Sequence, residues 1–279
     1  MCAVTLATAP FFAARVSDGW IVGGMLVGTY TGSTPNMVAV AKALGADHET
    51  VVLVTGADLV VAAPFIFLLM SPAVKLLNFL PASKGDASDA ALVEVGHPPV
   101  PPLVEWIKSL VLAVAVVAVA GGLSVLVPED AQQLVAILGV TTLGVLGSLS
   151  KPVRSIPASA LLGDYFILVF CVGFGSLADL RVLGAQASLG ALLGWTALVM
   201  LGGVALHVGL CRVFGIDRDT AVITITAGLY GPAMIGPVAA NLRNNEMMLS
   251  GVTAALAGLA VGNYLGLLVA WGVRAMVGA

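Results

Sequence analysis

Long apolar stretches separated by short polar segments run along almost the whole chain. A stretch of about 20 apolar residues spans a hydrocarbon core when it forms an α-helix, and a soluble fold has no means of hiding several of them. The pattern therefore predicts an all-α, polytopic transmembrane helical bundle. A short apolar segment covers residues 2–14, and eight longer stretches follow at 20–43, 50–74, 104–127, 131–150, 157–177, 184–211, 219–241 and 247–273.

The composition agrees with a membrane environment. Hydrophobic residues make up 59% of the 279 positions and charged residues 10%, against roughly 25% charged residues in a soluble domain. The 33 glycines suit helices whose backbones pack closely in lipid. The net charge of −3 gives no reason to expect a nucleic-acid partner. We expect membrane lipids and a small-molecule solute as partners, and formation of a homo-oligomer stays open.

The cysteines are expected to be small apolar residues. Cys2, Cys171 and Cys211 have no paired spacing and no histidine or acidic cluster beside them, so neither a disulfide framework nor a metal site is indicated. We therefore predict no metal site and no cofactor apart from a coupling ion.

The basic residues indicate an orientation. If every stretch crosses the membrane, nine basic residues fall on one face and three on the other, which places the first face and the C-terminus in the cytoplasm. Segment 1–14 is too short to cross and lacks the basic start of a signal peptide, so we expect a truncated span and missing N-terminal spans. The nine are Arg15, Lys75, Lys84, Lys108, Lys151, Arg154, Arg212, Arg218 and Arg274, and the three are Lys42, Arg181 and Arg243.

A polar, proline-rich stretch divides the chain into two unequal parts. Residues 80–102 read as a cytoplasmic linker, and His97 within it is expected to be a solvated loop residue. Residues 1–79 are predicted to be the remnant of a first repeat with a broken span and the span after it. Residues 103–279 are predicted to be a second repeat with a broken span near 228–237.

Two spans contain glycine and proline where a continuous helix would avoid them. These interruptions are Gly28–Asn36 and Gly228–Pro237. They and the residues directly after them match at an offset of 200, with identities at Gly28/Gly228, Tyr30/Tyr230, Val38/Val238 and Ala39/Ala239. An inverted repeat requires that the two broken spans run in opposite directions, whereas the predicted topology makes them parallel. Either one segment does not fully cross or the number of spans is off by one.

A helix break inside a membrane frees backbone polar groups, which cost several kcal/mol each unless they line a protein-enclosed cavity. Such breaks typically bind ions or substrates through helix ends, carbonyls and hydroxyls. The alternative is a kink that merely permits close packing. The first break offers Tyr30, Thr31, Ser33, Thr34 and Asn36 as ligands, and the second offers Tyr230, Gly231 and Pro232.

Two acidic residues lie within predicted spans, where a charge is costly and therefore indicates function. Asp58 follows the first break and Asn263 follows the second, and together they suggest a site for Na+ or H+. The alternative for Asp58 is a structural hydrogen bond to the freed backbone. Asp164 lies nearer a span end, where pairing with a basic residue is an equally good explanation. For His207, interfacial packing is favoured over proton relay.

These segments resemble a known family. The run from Gly28 to Ala41, GTYTGSTPNMVAVA, is similar to a Gly-Ser-Tyr-x-Gly-Gly-Ser-x-Asn-Phe-Val-Ala-Val-Ala stretch of the YjcL-like bacterial membrane proteins, the domain-of-unknown-function family numbered 819. Gly262–Gly266, GNYLG, is similar to their closing spans. At the second break this chain has Tyr230-Gly-Pro-Ala-Met where the family has Gly-Gly-Pro-Thr-Thr. The resemblance implies a relation to cation:proton antiporters and bile-acid:sodium symporters, and an elevator-type mechanism.

Three functions are compared. An ion-coupled secondary transporter of a small solute is the favoured interpretation, and a non-transporting membrane fragment or assembly subunit is the alternative. An intramembrane aspartyl protease would need Asp58 and Asp164 as a catalytic pair. Ala57 precedes Asp58, and Leu161 occupies the position of the first glycine in the protease motif. We therefore predict that the protein is not an enzyme.

Overall fold

The chain is helical throughout the part that the structure describes. The computed structural model describes residues 1–82, 100–175 and 188–278, and these contain no β-strand. Short 3-10 turns cover Ala13–Arg15, Pro72–Leu77 and Pro232–Met234. The α-helices are α1 (Cys2–Phe12), α2 (Gly19–Gly32), α3 (Thr34–Ala43), α4 (His48–Leu69), α5 (Leu103–Ser124), α6 (Glu129–Leu149), α7 (Lys151–Arg154), α8 (Ala158–Gly175), α9 (Leu189–Phe214), α10 (Arg218–Tyr230), α11 (Ile235–Leu242) and α12 (Met247–Val277).

The predicted all-α membrane architecture is confirmed. Five of the described helices, α4, α5, α6, α9 and α12, are long and apolar enough to cross a bilayer. Many of their large apolar side chains are exposed on the protein surface, as expected where lipid is the solvent. The linker residues 83–99, including His97, lie outside the described part of the chain.

The helices form two compact units. Unit 1 comprises Met1–Ala41, Ala46–Val93 and Asp179–Ala279, and unit 2 comprises Lys42–Gly45 and Glu94–Ala178. In unit 2, α5 packs against α6 and α8, and a mainly apolar cavity of about 320 Å³ lies among these helices. The assignment of residues 1–79 and 103–279 as two repeats stays a prediction.

In unit 1, α2 and α3 form a helical hairpin with Ser33 at its tip, which we call the first hairpin. A Cβ atom on Gly28 would lie 3.2 Å from the Asn36 carbonyl oxygen and 3.3 Å from a methyl carbon of Val40. Residues 28 and 40 of a continuous helix would be about 18 Å apart. The chain therefore turns back on itself at Ser33.

A second hairpin, formed by α10 and α11, turns at Gly231. The position of a Cβ atom on Gly251 is within 2.8 Å of atoms from both Ile223 and Ile235. Farther from the tip, the Asn244 side-chain amide donates a hydrogen bond to the Asp219 carboxylate, with an N–O distance of 3.1 Å. Residues on the two arms of this hairpin are thus neighbours in space.

The two breaks predicted from glycine and proline are therefore confirmed, but the assignment of 20–43 and 219–241 as single crossings is wrong. Each segment enters the protein and returns toward the end from which it came. The length of an apolar segment does not distinguish the two arrangements, because a run of 20–25 residues can form either one crossing helix or two short arms. A hairpin adds no net crossing, so the charge count behind the predicted orientation changes, and the cytoplasmic C-terminus stays a prediction.

The hairpins approach the middle of α12 from opposite ends. Along α2, Gly24 lies against Gly266 whereas Gly32 lies against Gly262, so α2 runs antiparallel to α12. Along α10, by contrast, Thr220 contacts Met247 and Ile223 contacts Gly251, so α10 runs in the same direction as α12. The arms α2 and α10 consequently run in opposite directions.

Two stripes of glycine hold the first hairpin against α12. Both stripes repeat every fourth residue, which places their members on one helix face. A methyl group on Gly258 would collide with the Thr31 carbonyl oxygen, and one on Gly266 would lie 2.9 Å from the Gly24 carbonyl oxygen. Backbone therefore meets backbone along this contact. The stripes are Gly24, Gly28 and Gly32 on α2, and Gly258, Gly262 and Gly266 on α12.

The hairpin topology predicts which positions share one side of the membrane. In a chain with Cys2, Cys171 and Cys211 replaced by serine, Ile216→Cys and Glu246→Cys should react with a membrane-impermeant maleimide from the same side, and Gly278→Cys from the other. All three positions lie at the ends of helices α9 and α12, outside the hairpin arms. Labelling of Ile216→Cys and Glu246→Cys from opposite sides would show that 219–241 crosses once.

The glycine contact predicts a position-specific loss of stability. Gly258→Ala should lower the free energy of unfolding by about 1–3 kcal/mol, because the added methyl group meets backbone that has no room to move. Gly209→Ala on α9 is the matched control, since nothing lies within 4 Å of a Cβ atom there, and it should be neutral or stabilise by up to about 1 kcal/mol. Thermal unfolding in detergent measures both. Equal effects would contradict the glycine contact.

Candidate functional site

The tips of the two hairpins touch one another. A Cβ atom on Gly231 would lie 3.3 Å from Cβ of Ser33 and 3.4 Å from its hydroxyl oxygen. Ser33 has φ 71° and ψ 177°, and Gly231 has φ 70° and ψ −166°. This backbone region is essentially restricted to glycine and costs about 1–3 kcal/mol for other residues. The same unusual turn thus occurs at both tips. The two turn residues are 198 positions apart (231 minus 33), whereas the two segments match in sequence at a separation of 200.

The first tip is fastened to α12 by Asn36. The Asn36 amide donates a hydrogen bond to the Leu259 carbonyl oxygen at 2.9 Å, and the residue is 3% exposed. Its side chain occupies space that exists because positions 32 and 262 are glycine. The hydrogen bond joins the start of α3 to the middle of a membrane-length helix.

The second tip is fastened to α4 in a similar manner. The Tyr230 hydroxyl donates to the Ala62 carbonyl oxygen at 2.6 Å. Closer to the base of the hairpin, the Asn241 amide donates to the Leu69 carbonyl oxygen at 3.1 Å. Each tip therefore uses a polar side chain to bind a backbone carbonyl of a long helix, α12 for the first hairpin and α4 for the second.

Asp58 lies on α4, one helical turn before Ala62, and faces the tips. Its carboxylate interacts electrostatically with the hydroxyl groups of Tyr30 and Tyr230. The Asp58 side chain is partly exposed, but its Oδ1 atom is buried. Within the described part of the chain, neither that atom nor the Tyr30 hydroxyl is in a fully formed hydrogen bond, although the two groups are close enough to form one with each other. Tyr30 itself is 2% exposed.

A cavity of about 340 Å³ opens beside the first tip, among α1, α2, α9, α10 and α12. His207 and Thr224 line it together with Tyr30, and the His207 Nε2 atom lies 2.9 Å from the Thr224 hydroxyl oxygen. That hydroxyl also lies 2.8 Å from the Thr220 carbonyl oxygen, to which it donates, and the His207 Nε2 atom lies 3.4 Å from the Cys211 sulfur. The other lining side chains include Thr31, Ile225, Leu229 and Leu265.

The structure brings most of the predicted site residues together. Tyr30, Thr31, Ser33 and Asn36 lie at the first tip. Tyr230, Gly231 and Pro232 form the second tip, while Thr34 begins α3 and is half-buried. Asp58 lies beside both tyrosines, and Asn263 is buried on α12, 7% exposed, next to Gly262. The role of each as an ion or substrate ligand stays a prediction, and the Asp164 side chain lies outside the described part.

Sequence reasoning missed two polar residues of the cavity, His207 and Thr224. The sequence favours packing at the membrane interface for His207, because Arg212 follows within the last turn of α9. It gives no reason to single out Thr224, since a threonine in an apolar run usually bonds to its own helix. The spacing of the threonines could have indicated a polar face, because Thr220 and Thr224 are four residues apart and therefore lie on the same side of α10.

Two aspartates, Asp217 and Asp219, stabilise the base of the second hairpin through hydrogen bonds and an ion pair. Asp217 caps α10 and accepts hydrogen bonds from the Thr220 N–H at 3.0 Å and the Thr220 hydroxyl at 2.7 Å. Partial burial raises the pKa of Asp217, but these hydrogen bonds outweigh it and hold the pKa below its usual range. Asp219 is 3% exposed and is paired with Arg218 at 2.9 Å. This polar cluster fixes where the hairpin begins.

The Asn36 hydrogen bond predicts a large effect of an isosteric change. Asn36→Asp should destabilise the protein by about 3 kcal/mol or more, because it replaces a buried donor with a charged acceptor facing the Leu259 carbonyl. Asn241→Asp removes a similar bond, but residue 241 is exposed, so water compensates and the loss should stay below about 1 kcal/mol. Thermal unfolding of both variants decides, and equal losses would argue against a special role for Asn36.

Comparison with known proteins agrees with the predicted family. Neither the curated proteins nor the solved structures contain a match to this chain. The family described as "Protein of unknown function (DUF819)" matches residues 5–276, which covers both hairpins and all five membrane-length helices. The chain therefore belongs to the DUF819 family.

Proposed function

We propose that the protein is an ion-coupled secondary transporter of a small solute. The observation that carries the proposal is the contact between Ser33 and Gly231, at which two hairpins from opposite ends of α12 meet tip to tip. Non-helical backbone at membrane depth is tolerated where it is buried in protein or lines a cavity. In transporters, such interruptions typically form the sites for substrate and coupling ion.

The chemistry around the tips supports an ion and a solute in adjoining places. Asp58 supplies a carboxylate beside Tyr30 and Tyr230, and a charged group inside a membrane protein generally marks an ion pathway. Tyr30 also lines the cavity of about 340 Å³, which is within the range of small-molecule sites. One side chain thus connects the proposed ion site with the proposed solute site.

The directions of the helices support alternating access. We propose that α1, the first hairpin and α4 correspond to α9, the second hairpin and α12 as an inverted repeat. In support, α2 and α10 run in opposite directions relative to α12, and both tips have the same backbone turn. Inverted repeats give a transporter two conformations of similar energy that open to opposite sides. An elevator-type movement, as the family resemblance implies, is part of this proposal.

The proposal predicts that Asp58→Asn abolishes coupling in a folded protein. Proteoliposomes with an imposed pH or sodium gradient are incubated with a small-molecule extract of bacterial cells, and accumulated compounds are identified by mass spectrometry. Wild-type protein should accumulate at least one compound under one of the gradients. Asp58→Asn should reduce that accumulation at least about tenfold, equivalent to 1.4 kcal/mol, because it replaces the carboxylate that binds the coupling ion with an uncharged amide.

Glu246→Gln is the control for this experiment, since it removes an exposed carboxylate at the base of the second hairpin and should leave accumulation unchanged. Failure of the wild-type protein to accumulate any compound would favour the assembly-subunit alternative. Accumulation that persists in Asp58→Asn would retain transport but remove Asp58 from the coupling mechanism.

A further inference from the structure

We infer that the coupling ion is a proton, carried by the Asp58 carboxyl group with the Tyr30 hydroxyl as its hydrogen-bond partner. This inference rests on the proposed transport function and specifies the ion that the sequence left open between Na+ and H+. It depends on three observations. The Asp58 carboxylate is isolated from other charges, its neighbours are tyrosine hydroxyls, and the Tyr230 hydroxyl already donates its hydrogen to the Ala62 carbonyl oxygen.

Asp58 is isolated from other charges. Among the described residues of unit 1, every aspartate, glutamate, lysine and arginine other than Asp58 lies at a helix end or in a connection. Without a cationic partner, a buried carboxylate is costly unless it is protonated or accepts hydrogen bonds. The other charged residues are Arg15, Asp18, Asp47, Glu49, Lys75, Arg212, Asp217, Arg218, Asp219, Arg243, Glu246 and Arg274.

The neighbours of Asp58 suit a proton better than a metal ion. Hard cations are bound by several carboxylate and carbonyl oxygens and by water. The groups that face Asp58 are instead two tyrosine hydroxyls, and the nearby Ala62 carbonyl already accepts a hydrogen bond from Tyr230. The described residues also contain no group of three histidine, cysteine or acidic side chains arranged for a metal.

The two tyrosines differ in what they offer. Tyr230 donates its only hydrogen to Ala62, so it has no hydrogen left to donate to the Asp58 carboxylate. The Tyr30 hydroxyl is in no fully formed hydrogen bond within the described chain, and it lies close enough to the Asp58 carboxylate to hydrogen-bond with it. Tyr30 is therefore a partner for either protonation state of Asp58.

The proton balance is simple. A proton from water on one side of the membrane forms an O–H bond with an Asp58 carboxylate oxygen, and the neutral acid donates to the Tyr30 oxygen. Release to water on the other side breaks that O–H bond and returns the carboxylate, to which the Tyr30 hydroxyl donates. No other reactant is needed.

The elements packed against α4 bring few other titratable groups near Asp58. From α2 the facing group is Tyr30, and from α10 it is Tyr230. On α9, His207 is hydrogen-bonded to Thr224, and the remaining ionisable side chains are Cys211, in contact with His207, and the exposed Arg212. The 3-10 turn after α4 contributes Lys75, several helical turns beyond Asp58.

Infrared difference spectra between acidic and alkaline buffer test the inference on the full chain in lipid nanodiscs. A protonated carboxylic acid has a carbonyl stretching band that a carboxylate lacks. Every carboxyl group that titrates between the two buffers contributes such a band, so the Asp58 band is the component that the wild-type spectrum contains, Asp58→Asn lacks, and Asp164→Asn keeps as the matched control. Tyr30→Phe should shift the band to higher frequency, because the acid loses its hydrogen-bond partner, whereas a purely structural tyrosine would leave the frequency unchanged.

Thermal unfolding in sodium chloride and in choline chloride at equal ionic strength completes the test. The Tm should be the same in both salts. A rise in Tm with sodium that Asp58→Asn abolishes would overturn the proton and leave cation coupling intact. Identical carbonyl bands in the wild type and Asp58→Asn, together with no sodium effect, would remove Asp58 as an ion site altogether, independently of whether the protein transports a solute.

Discussion

The close contact of α2 with α12 is the constraint on which the rest of unit 1 depends. Both helices present glycine at every fourth residue along this contact, so their backbones approach without intervening side chains. In a membrane, where lipid is as apolar as a leucine side chain, such van der Waals contact is a main source of helix association. The Gly32 and Gly262 positions also make the space in which the Asn36 amide reaches Leu259. Packing and polar fastening are therefore produced by the same glycines.

A hairpin tip at membrane depth raises a problem that a crossing helix does not have. The last carbonyls of α2 and α10 have no partner within their own helices, and each unsatisfied group costs several kcal/mol in hydrocarbon. Unit 1 meets this cost by placing the tips against one another and against α4 and α12. Burial inside the protein thus offsets the free-energy cost of the turns at Ser33 and Gly231. The same arrangement leaves a cavity next to the tips.

The positions of the breaks could be predicted from sequence, but their geometry could not. Glycine, proline and serine between residues 28 and 36 and between 228 and 237 locate the turns, because these residues interrupt helices by their backbone properties. Whether the chain then continues or returns depends on contacts such as Gly28 with Val40, which no local pattern encodes. Asp58 could be singled out because a charge in an apolar span is rare. His207 could not, since its partner Thr224 comes from another helix.

The hairpins also resolve the conflict in direction that the sequence presented. Two single crossings that both begin on the cytoplasmic side are necessarily parallel, and an inverted repeat is then excluded. A hairpin adds no net crossing, so α4 leaves the base of the first hairpin and reaches the base of the second, where Leu69 accepts a hydrogen bond from Asn241. Helix α12 runs the other way, from Met247 at the base of the second hairpin to Arg274, which lies over the Trp20 ring at the base of the first, at 4.8 Å. These contacts show that α4 and α12 run in opposite directions. Asp58 and Asn263 therefore lie on oppositely directed helices near the hairpin tips.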